Sequence, residues 1–343
     1  MKYEQLSVFS EQDIELEEKK KERKNTSAIS QRIMDEFGSA QIPFWGCNYE
    51  LVYPILKDIV PKEEIMFDTL DLEQIIACEM ICAAICHQMN WDYLRLAVNK
   101  QIQKDSLWVH AEHLRFISEK TVESLFEHYP KRERVRALER TSMLRKIGDL
   151  AFSSGGFTCL FFSPEKKPLA MDTINKTLLD CDVFGQDPGH KKFHLLMQKL
   201  SSYSQLSHLA AYCEPAVDYH LLRCFLRRGL LFPKSKFASE YILATEIERK
   251  ESTVGALRHL CANLMMDICQ YTALDINSIN VIEWQVARSI CTQEKPDCLL
   301  ESPSSTWARK GFERCPFFET CNAANHNKAY LELQEPKYTG TSY

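Results

Sequence analysis

Four cysteines, Cys291, Cys298, Cys315 and Cys321, stand in a C-x6-C-x16-C-x5-C arrangement in polar, loop-like sequence. Thiols have no packing reason to gather in such a stretch. Thiolates bind soft or borderline metals, and a set of this size suits either tetrahedral zinc or an iron–sulfur cluster. Zinc ribbons are built from C-x2-C knuckles, and neither half here has that spacing. Wider loops, stiffened by Pro296 and Pro316, favour the larger inorganic core, so a 4Fe-4S cluster is the expected cofactor and zinc the alternative. Upstream, Pro215-Ala216-Val217-Asp218-Tyr219-His220 opens a helix with a carboxylate at its mouth. A carboxylate there can stabilise developing positive charge and orient a water. Asp is also a favoured N-cap in any helix. The two roles are compatible, because a cap needs one carboxylate oxygen.

These residues need elements to hold them, and the periodicity is helical. From Asp71, which pairs with Gln74 as a capping box, Leu72, Ile75, Ile76, Met80, Ile81 and Ile85 recur at three- and four-residue steps. That helix is expected to end around His87-Gln88-Met89-Asn90. Further amphipathic helices are predicted near 108–128, 132–153, 190–212, 219–230, 239–250 and 253–270, with Asp218 capping and Gly229 closing the fourth of these. The strand-like piece 157–162 is too isolated for a large sheet, so the class is mainly α. Residues 302–311 read as a loop inserted between the second and third candidate ligands.

Length and composition allow two domains with a real core: 343 residues, 45% hydrophobic and 26% charged. The formal charge of −5 announces no nucleic-acid binder and moves that question to local patches. No secretory start and no membrane-length apolar run are visible, and most of the other cysteines sit among aliphatic residues, so a reducing compartment, cytoplasmic or nuclear, is expected. One basic group comprises Lys131, Arg132, Arg134, Arg136, Arg140, Arg145 and Lys146; a second comprises Arg223, Arg227, Arg228, Lys234 and Lys236. Either could hold phosphates or form a solvated face, and the second lies beside Asp218.

Val217-Asp218-Tyr219-His220-Leu221-Leu222-Arg223 resembles the V-D-x-H-x-x-R motif of helix-hairpin-helix DNA glycosylases, the endonuclease III superfamily. Members with a cluster carry C-x6-C-x2-C-x5-C behind that motif, preceded by an arginine. Here Arg288 precedes Cys291 and the outer spacings agree, with the central gap enlarged. The resemblance covers roughly residues 45–325. The family's L-P-G-x-G hairpin string has no literal copy; the nearest stretch is Phe184-Gly185-Gln186-Asp187-Pro188-Gly189-His190-Lys191-Lys192.

The resemblance implies two all-helical domains with a cleft between them and a C-terminal cluster loop. Residues 72–217 would form the central barrel, 42–71 with 218–330 a discontinuous cluster-bearing domain, 1–41 a polar lead-in and 331–343 a flexible tail. It further implies an N-glycosylase releasing a modified or damaged base from DNA, acting as a monomer and without a membrane. Asp218 would be the catalytic carboxylate, and Lys192 or Lys191 the amine of any accompanying lyase step. Gln88 would fill the space left by a flipped base. Trp45, Trp91, Tyr219 and His220 would line the pocket, and Arg223, Arg227 and Arg228 would contact DNA. Two other readings fit the same residues: a nucleotide or nucleoside N-glycosylase resembling the queuosine-salvage branch, and a metal-stabilised nucleic-acid-binding scaffold in which Asp218 only caps.

Overall fold

The computed structural model describes residues 35–40, 49–59, 67, 69–236, 251–300 and 315–333. They form a mainly helical molecule with a single two-stranded sheet among the described residues. Helix α1 (Tyr49–Ile59) is followed by α2 (Leu72–Ile85), α3 (Trp91–Lys104), α4 (Ala111–Arg115), α5 (Glu119–Leu125) and α6 (Ala137–Ser154). Then come α7 (Met171–Leu179), α8 (Asp182–Gly185), α9 (Lys191–Ser201), α10 (Tyr219–Arg228), α11 (Glu251–Thr272), α12 (Ile276–Ser289) and α13 (Asn322–Asn325). The sheet pairs β1 (Phe37–Ser39) antiparallel with β2 (Leu231–Pro233). Part of the expected lead-in is therefore structured, because Phe37 is buried and the backbone of Ala40 continues the pairing to Leu230.

The helix at Asp71 begins as predicted: Asp71 accepts from Gln74 N at 2.9 Å and the Gln74 side chain returns to Asp71 N at 3.2 Å. Its burial is more complete than an amphipathic stripe. Every residue from Ile75 to Ile85 is buried, since Ala77, Cys78, Cys82, Ala83 and Ala84 occupy the remaining faces. A helix apolar all round belongs at the centre of a fold. Its one interior carboxylate, Glu79, is held by Arg95 at 2.6 and 3.0 Å and by the Tyr203 hydroxyl at 2.7 Å.

Elsewhere boundaries move for local reasons. The single helix predicted over 108–128 is a 3-10 turn followed by α4 and α5, because Ser118 starts a new helix by accepting from Thr121 N at 3.1 Å. Helix α6 starts later than 132 because Arg136 sits at φ 45°. The stretch 190–212 divides into α9 and a 3-10 segment over 204–212. The strand-like piece at 157–162 is a 3-10 turn with one bridge between Phe162 and Pro168. The helix expected at 239–250 and the loop at 302–311 lie outside the described residues. Helix α1 packs on α11 and α12, so a segment from the N-terminal part joins the helices nearest the cysteines. No helix among the described residues is long and apolar enough to cross a membrane.

Candidate functional site

Helix α10 is the element that organises the site. Asp218 caps it: Oδ1 accepts Leu221 N–H at 3.0 Å, and Oδ2 receives no hydrogen bond among the described residues. Gly229 closes it at φ 81°, where a Cβ would stand 2.9 Å from Asn322 Cβ. Between these caps every residue from Leu221 to Arg228 is buried, three arginines included.

Arg223, Arg227 and Arg228, the arginines expected to contact DNA, are all buried. Arg223 donates to Ala287 O at 2.7 Å and to Cys291 O at 3.0 Å. Arg228 grips Glu283 at 2.6 and 2.9 Å and stacks over Phe317 at 3.7 Å. Arg227, with no exposed surface, donates to the carbonyls of Thr292, Gln293, Tyr330, Leu331 and Leu333 and to Cys291 Sγ at 3.7 Å. Arg223 and Arg227 bond carbonyls at the start of the cysteine loop, while Arg228 is held by Glu283 of α12.

The four candidate ligands converge around this helix. Each of Cys291, Cys298, Cys315 and Cys321 lies within electrostatic reach of the other three. Burial pushes the Cys298 thiol up to about 11 and raises Cys315 and Cys321. Cys291 differs: a hydrogen bond from Cys224 and the charges of Arg227 and Arg223 bring it down to about 6 despite its burial. Among the described residues no three His, Cys, Asp or Glu side chains stand as a single ion would require. A lone zinc with bonds of about 2.3 Å draws its sulfurs to within about 4 Å of each other.

One buried charge beside these cysteines bears on whether they could hold an anionic group. The guanidinium of Arg227 has no carboxylate partner among the described residues. An uncompensated buried charge is costly, and an anionic thiolate centre beside it supplies the compensation.

The second set of expected residues lies around the turn before α9. Asp187 Oδ2 accepts the Lys192 N–H, while Oδ1 faces Arg258 of α11 at 3.3 Å in a fully buried ion pair. Short helix α8, the turn 186–190 and α9 form a helix–turn–helix at the stretch singled out from sequence, with Gly189 at φ 66° and His190 at φ 49°. Lys191 and Lys192 are both buried. Burial lowers the Lys192 ammonium to about 8, and its Nζ lies 3.5 Å from Met143 Sδ. His87 is held well below its ordinary value by burial and then by Arg140, Lys192, Arg136 and Lys191, which places the Gln88 turn beside the lysines. Arg140 ties that turn down, donating to Ile85 O at 3.2 Å and Arg134 O at 2.9 Å, and also to His87 O. Gln88, Arg136 and His190 all have left-handed φ, at 52°, 45° and 49°, on turns surrounding Lys192. Such backbone is costly for non-glycine residues and concentrates at functional sites.

Asp218 and Arg258 each act on the buried thiol of Cys261. Trp91 is buried, with the Arg95 guanidinium 5.4 Å and the Lys199 ammonium 5.5 Å from its ring, which is a packing role rather than a pocket wall. Tyr219 and His220 are half-buried and lie ring to ring at 4.2 Å. Trp45 lies outside the described residues. Arg288, expected ahead of the cysteines, pairs with Asp92 at 3.1 Å on the surface. The first basic group is dispersed: Arg136 pairs with Glu139, Lys146 with Asp182, and Lys131, Arg132 and Arg134 are exposed. Two open hollows of about 510 and 620 Å³ lie elsewhere, one beside Gly229 and His326 and one beside Leu107 and Phe116. Neither is lined by Asp218, Lys192 or Gln88.

Sequence reasoning missed Asp187, Arg258, Cys224, Glu283 and Tyr53. The Tyr53 hydroxyl donates to Glu283, the partner of Arg228. None of these carries a motif, although buried charges at helical spacing on α10 could have prompted a search for partners.

Compared with known proteins, the chain matches no family model and no curated protein.

Proposed function

We propose that this protein is an iron–sulfur N-glycosylase of the helix-hairpin-helix type that releases a modified or damaged base from DNA, with Asp218 as catalytic carboxylate. The observation carrying this reading is that one helix, α10, presents Asp218 at its start and grips the cysteine loop through Arg223 and Arg227 along its body. In this reading residues 72–217 form one all-helical domain, 42–71 with 218–330 the other, and the protein works as a monomer in a reducing compartment. The cysteines found free among the described residues accord with that compartment. The bound cluster supplies a rigid brace among Cys291, Cys298, Cys315 and Cys321.

The chemistry then belongs to the chain. As the C–N bond breaks, its electron pair leaves with the base and positive charge builds on the sugar. Oδ1 of Asp218 is fixed by the Leu221 amide, and Oδ2 stabilises that charge and orients the attacking water. Lys192, at about 8, has roughly a tenth of its amine neutral at pH 7, enough for a weak accompanying lyase step.

A second reading, hydrolysis of a free nucleotide or nucleoside, is favoured by the burial of Arg223, Arg227 and Arg228, which removes them from any DNA-facing surface. One experiment separates the readings. Base release is measured on modified duplexes, single strands and free nucleotides with the parent and Asp218→Asn. Asparagine caps a helix as well as aspartate, so the variant keeps its fold and metal. It is expected to lose activity by a hundredfold or more, on the order of one lost transition-state interaction. Undiminished release by Asp218→Asn sinks the role of Asp218, and release from free nucleotides alone moves the assignment to the second reading.

A further inference from the structure

Residues 213–218 run into α10 without regular secondary structure, so the backbone that delivers Asp218 depends on side chains for its hydrogen bonds. Two buried amides supply them. Asn280 Oδ1 accepts the Ala216 N–H at 2.8 Å, and Gln198 Nε2 donates to Glu214 O at 2.6 Å. The two side chains also meet, Gln198 Nε2 lying 3.4 Å from Asn280 Oδ1. Gln198 belongs to α9 and Asn280 to α12, and both are buried. A turn away on each helix the pattern repeats: Ser201 Oγ accepts Asn277 Nδ2–H at 3.1 Å and the Cys213 thiol at 3.5 Å. Each helix therefore offers one polar edge to the stretch between them. Apolar side chains could fill this space, but they could not fix where a backbone amide sits. A buried network of donors and acceptors specifies one arrangement.

We propose that Asn280, with Gln198 beside it, is a positioning residue for Asp218, holding the Ala216 amide just ahead of the carboxylate and so setting where Oδ2 points. The inference rests on Asp218 as the catalytic carboxylate. Gln198 stands on the helix whose first turn carries Lys192, so the same clamp keeps the carboxylate and that helix in one frame. A carboxylate displaced by about 1 Å loses its hold on the developing charge while the substrate still binds. The effect therefore falls on kcat and leaves KM in place.

The test compares the full chain with Asn280→Ala, Asn280→Asp, Gln198→Met and Asp218→Asn, and with Asn280→Ala combined with Asp218→Asn. Aspartate keeps the acceptor for Ala216, and methionine keeps the stem of Gln198 without its donor. Hydrogen exchange at the Leu221 amide, which Asp218 Oδ1 accepts, reports the carboxylate's place with no substrate present. The Leu226 amide, farther along α10, is the internal control. Base release is then measured on the modified duplexes, single strands and free nucleotides named above. Asn280→Ala is expected to speed exchange at Leu221 and not at Leu226, and to lower kcat roughly tenfold or more at parental KM. Asn280→Asp should stay near the parent, and Gln198→Met should fall between. Added to Asp218→Asn, Asn280→Ala should cost nothing further, because its effect runs through the carboxylate. Unchanged exchange at Leu221 overturns the proposal, as does the same fold-loss in both backgrounds, which reports packing alone. If Asn280→Ala does not fold, Gln198→Met decides by the same exchange and kinetic readings. Full release by Asp218→Asn removes the catalytic assignment, whereas parental kcat in Asn280→Ala beside an inactive Asp218→Asn overturns this inference alone.

Discussion

Lys192 sits in an environment far from the ordinary for a lysine. Its ammonium is buried against Met143, with Asp187 held to the Lys192 amide and to Arg258 rather than to Nζ at salt-bridge distance. The folded-state value of about 8 lies below the usual 10.5 for lysine. The unfolded chain therefore binds the proton more tightly between those values, and stability rises with pH across that window. Below about 8 both states are protonated and the burial penalty is fully present, on the order of 3 kcal/mol. Lys192→Met is expected to stabilise the protein at pH 7, and the gain should shrink as pH climbs from about 8 towards 10.5. Urea melts at pH 7 and pH 10 check this; a gain unchanged between the two would rule out a buried, protonated amine. The same substitution removes any borohydride-trappable intermediate with a cleaved strand, which ties the stability experiment to the chemistry.

Among the elements, α10 carries the most consequence for its length. Both its ends are set by local sequence: Asp218 provides the first acceptor, and Gly229 takes the left-handed conformation that ends it. Gly229 is needed twice over, for φ 81° and because Asn322 at the start of α13 approaches to 2.9 Å from where a Cβ would be. Cys321 is the residue before that helix. Gly229→Ala should therefore cost about 1–2 kcal/mol from backbone strain, before any clash. It should also loosen the last candidate ligand. Denaturant unfolding and iron retention under a chelator measure the two effects separately. A variant as stable as the parent would mean that α10 and α13 can move apart without loss.

At the size of the whole protein, the turn before α9 packs against α11, and a buried ion pair lies within that contact. Asp187 and Arg258 are 3.3 Å apart with almost no exposure. On the surface, Arg115 and Asp149 are closer, at 2.7 Å, but exposed. Distance alone would rank the surface pair higher. Solvent reverses the order, because exposed pairs contribute about 1 kcal/mol or less, whereas removing one member of a buried pair strands a charge and costs about 3–5 kcal/mol. Arg258→Ala should be several-fold more damaging than Arg115→Ala in paired unfolding curves, and equal losses would show that water reaches Asp187.

What could be read from the residues in order was whatever depends on near neighbours. The capping box at Asp71, the Asp218 cap, the Gly229 stop and the helical class follow from side chains bonding to backbone a few positions away. The cysteine spacing marked residues that lie within electrostatic reach of one another, without the arrangement a single ion would require. What could not be read was which charges go inside. Arg223, Arg227 and Arg228 look in the linear chain like a solvent-facing phosphate clamp, yet their partners are carbonyls and a carboxylate from segments far along the sequence. Cys224 looked like a small hydrophobe and lies against Cys291, and Asp187 found Arg258 across the molecule. A buried charge or thiol is stable only beside its counterpart, and long-range packing alone brings those counterparts together.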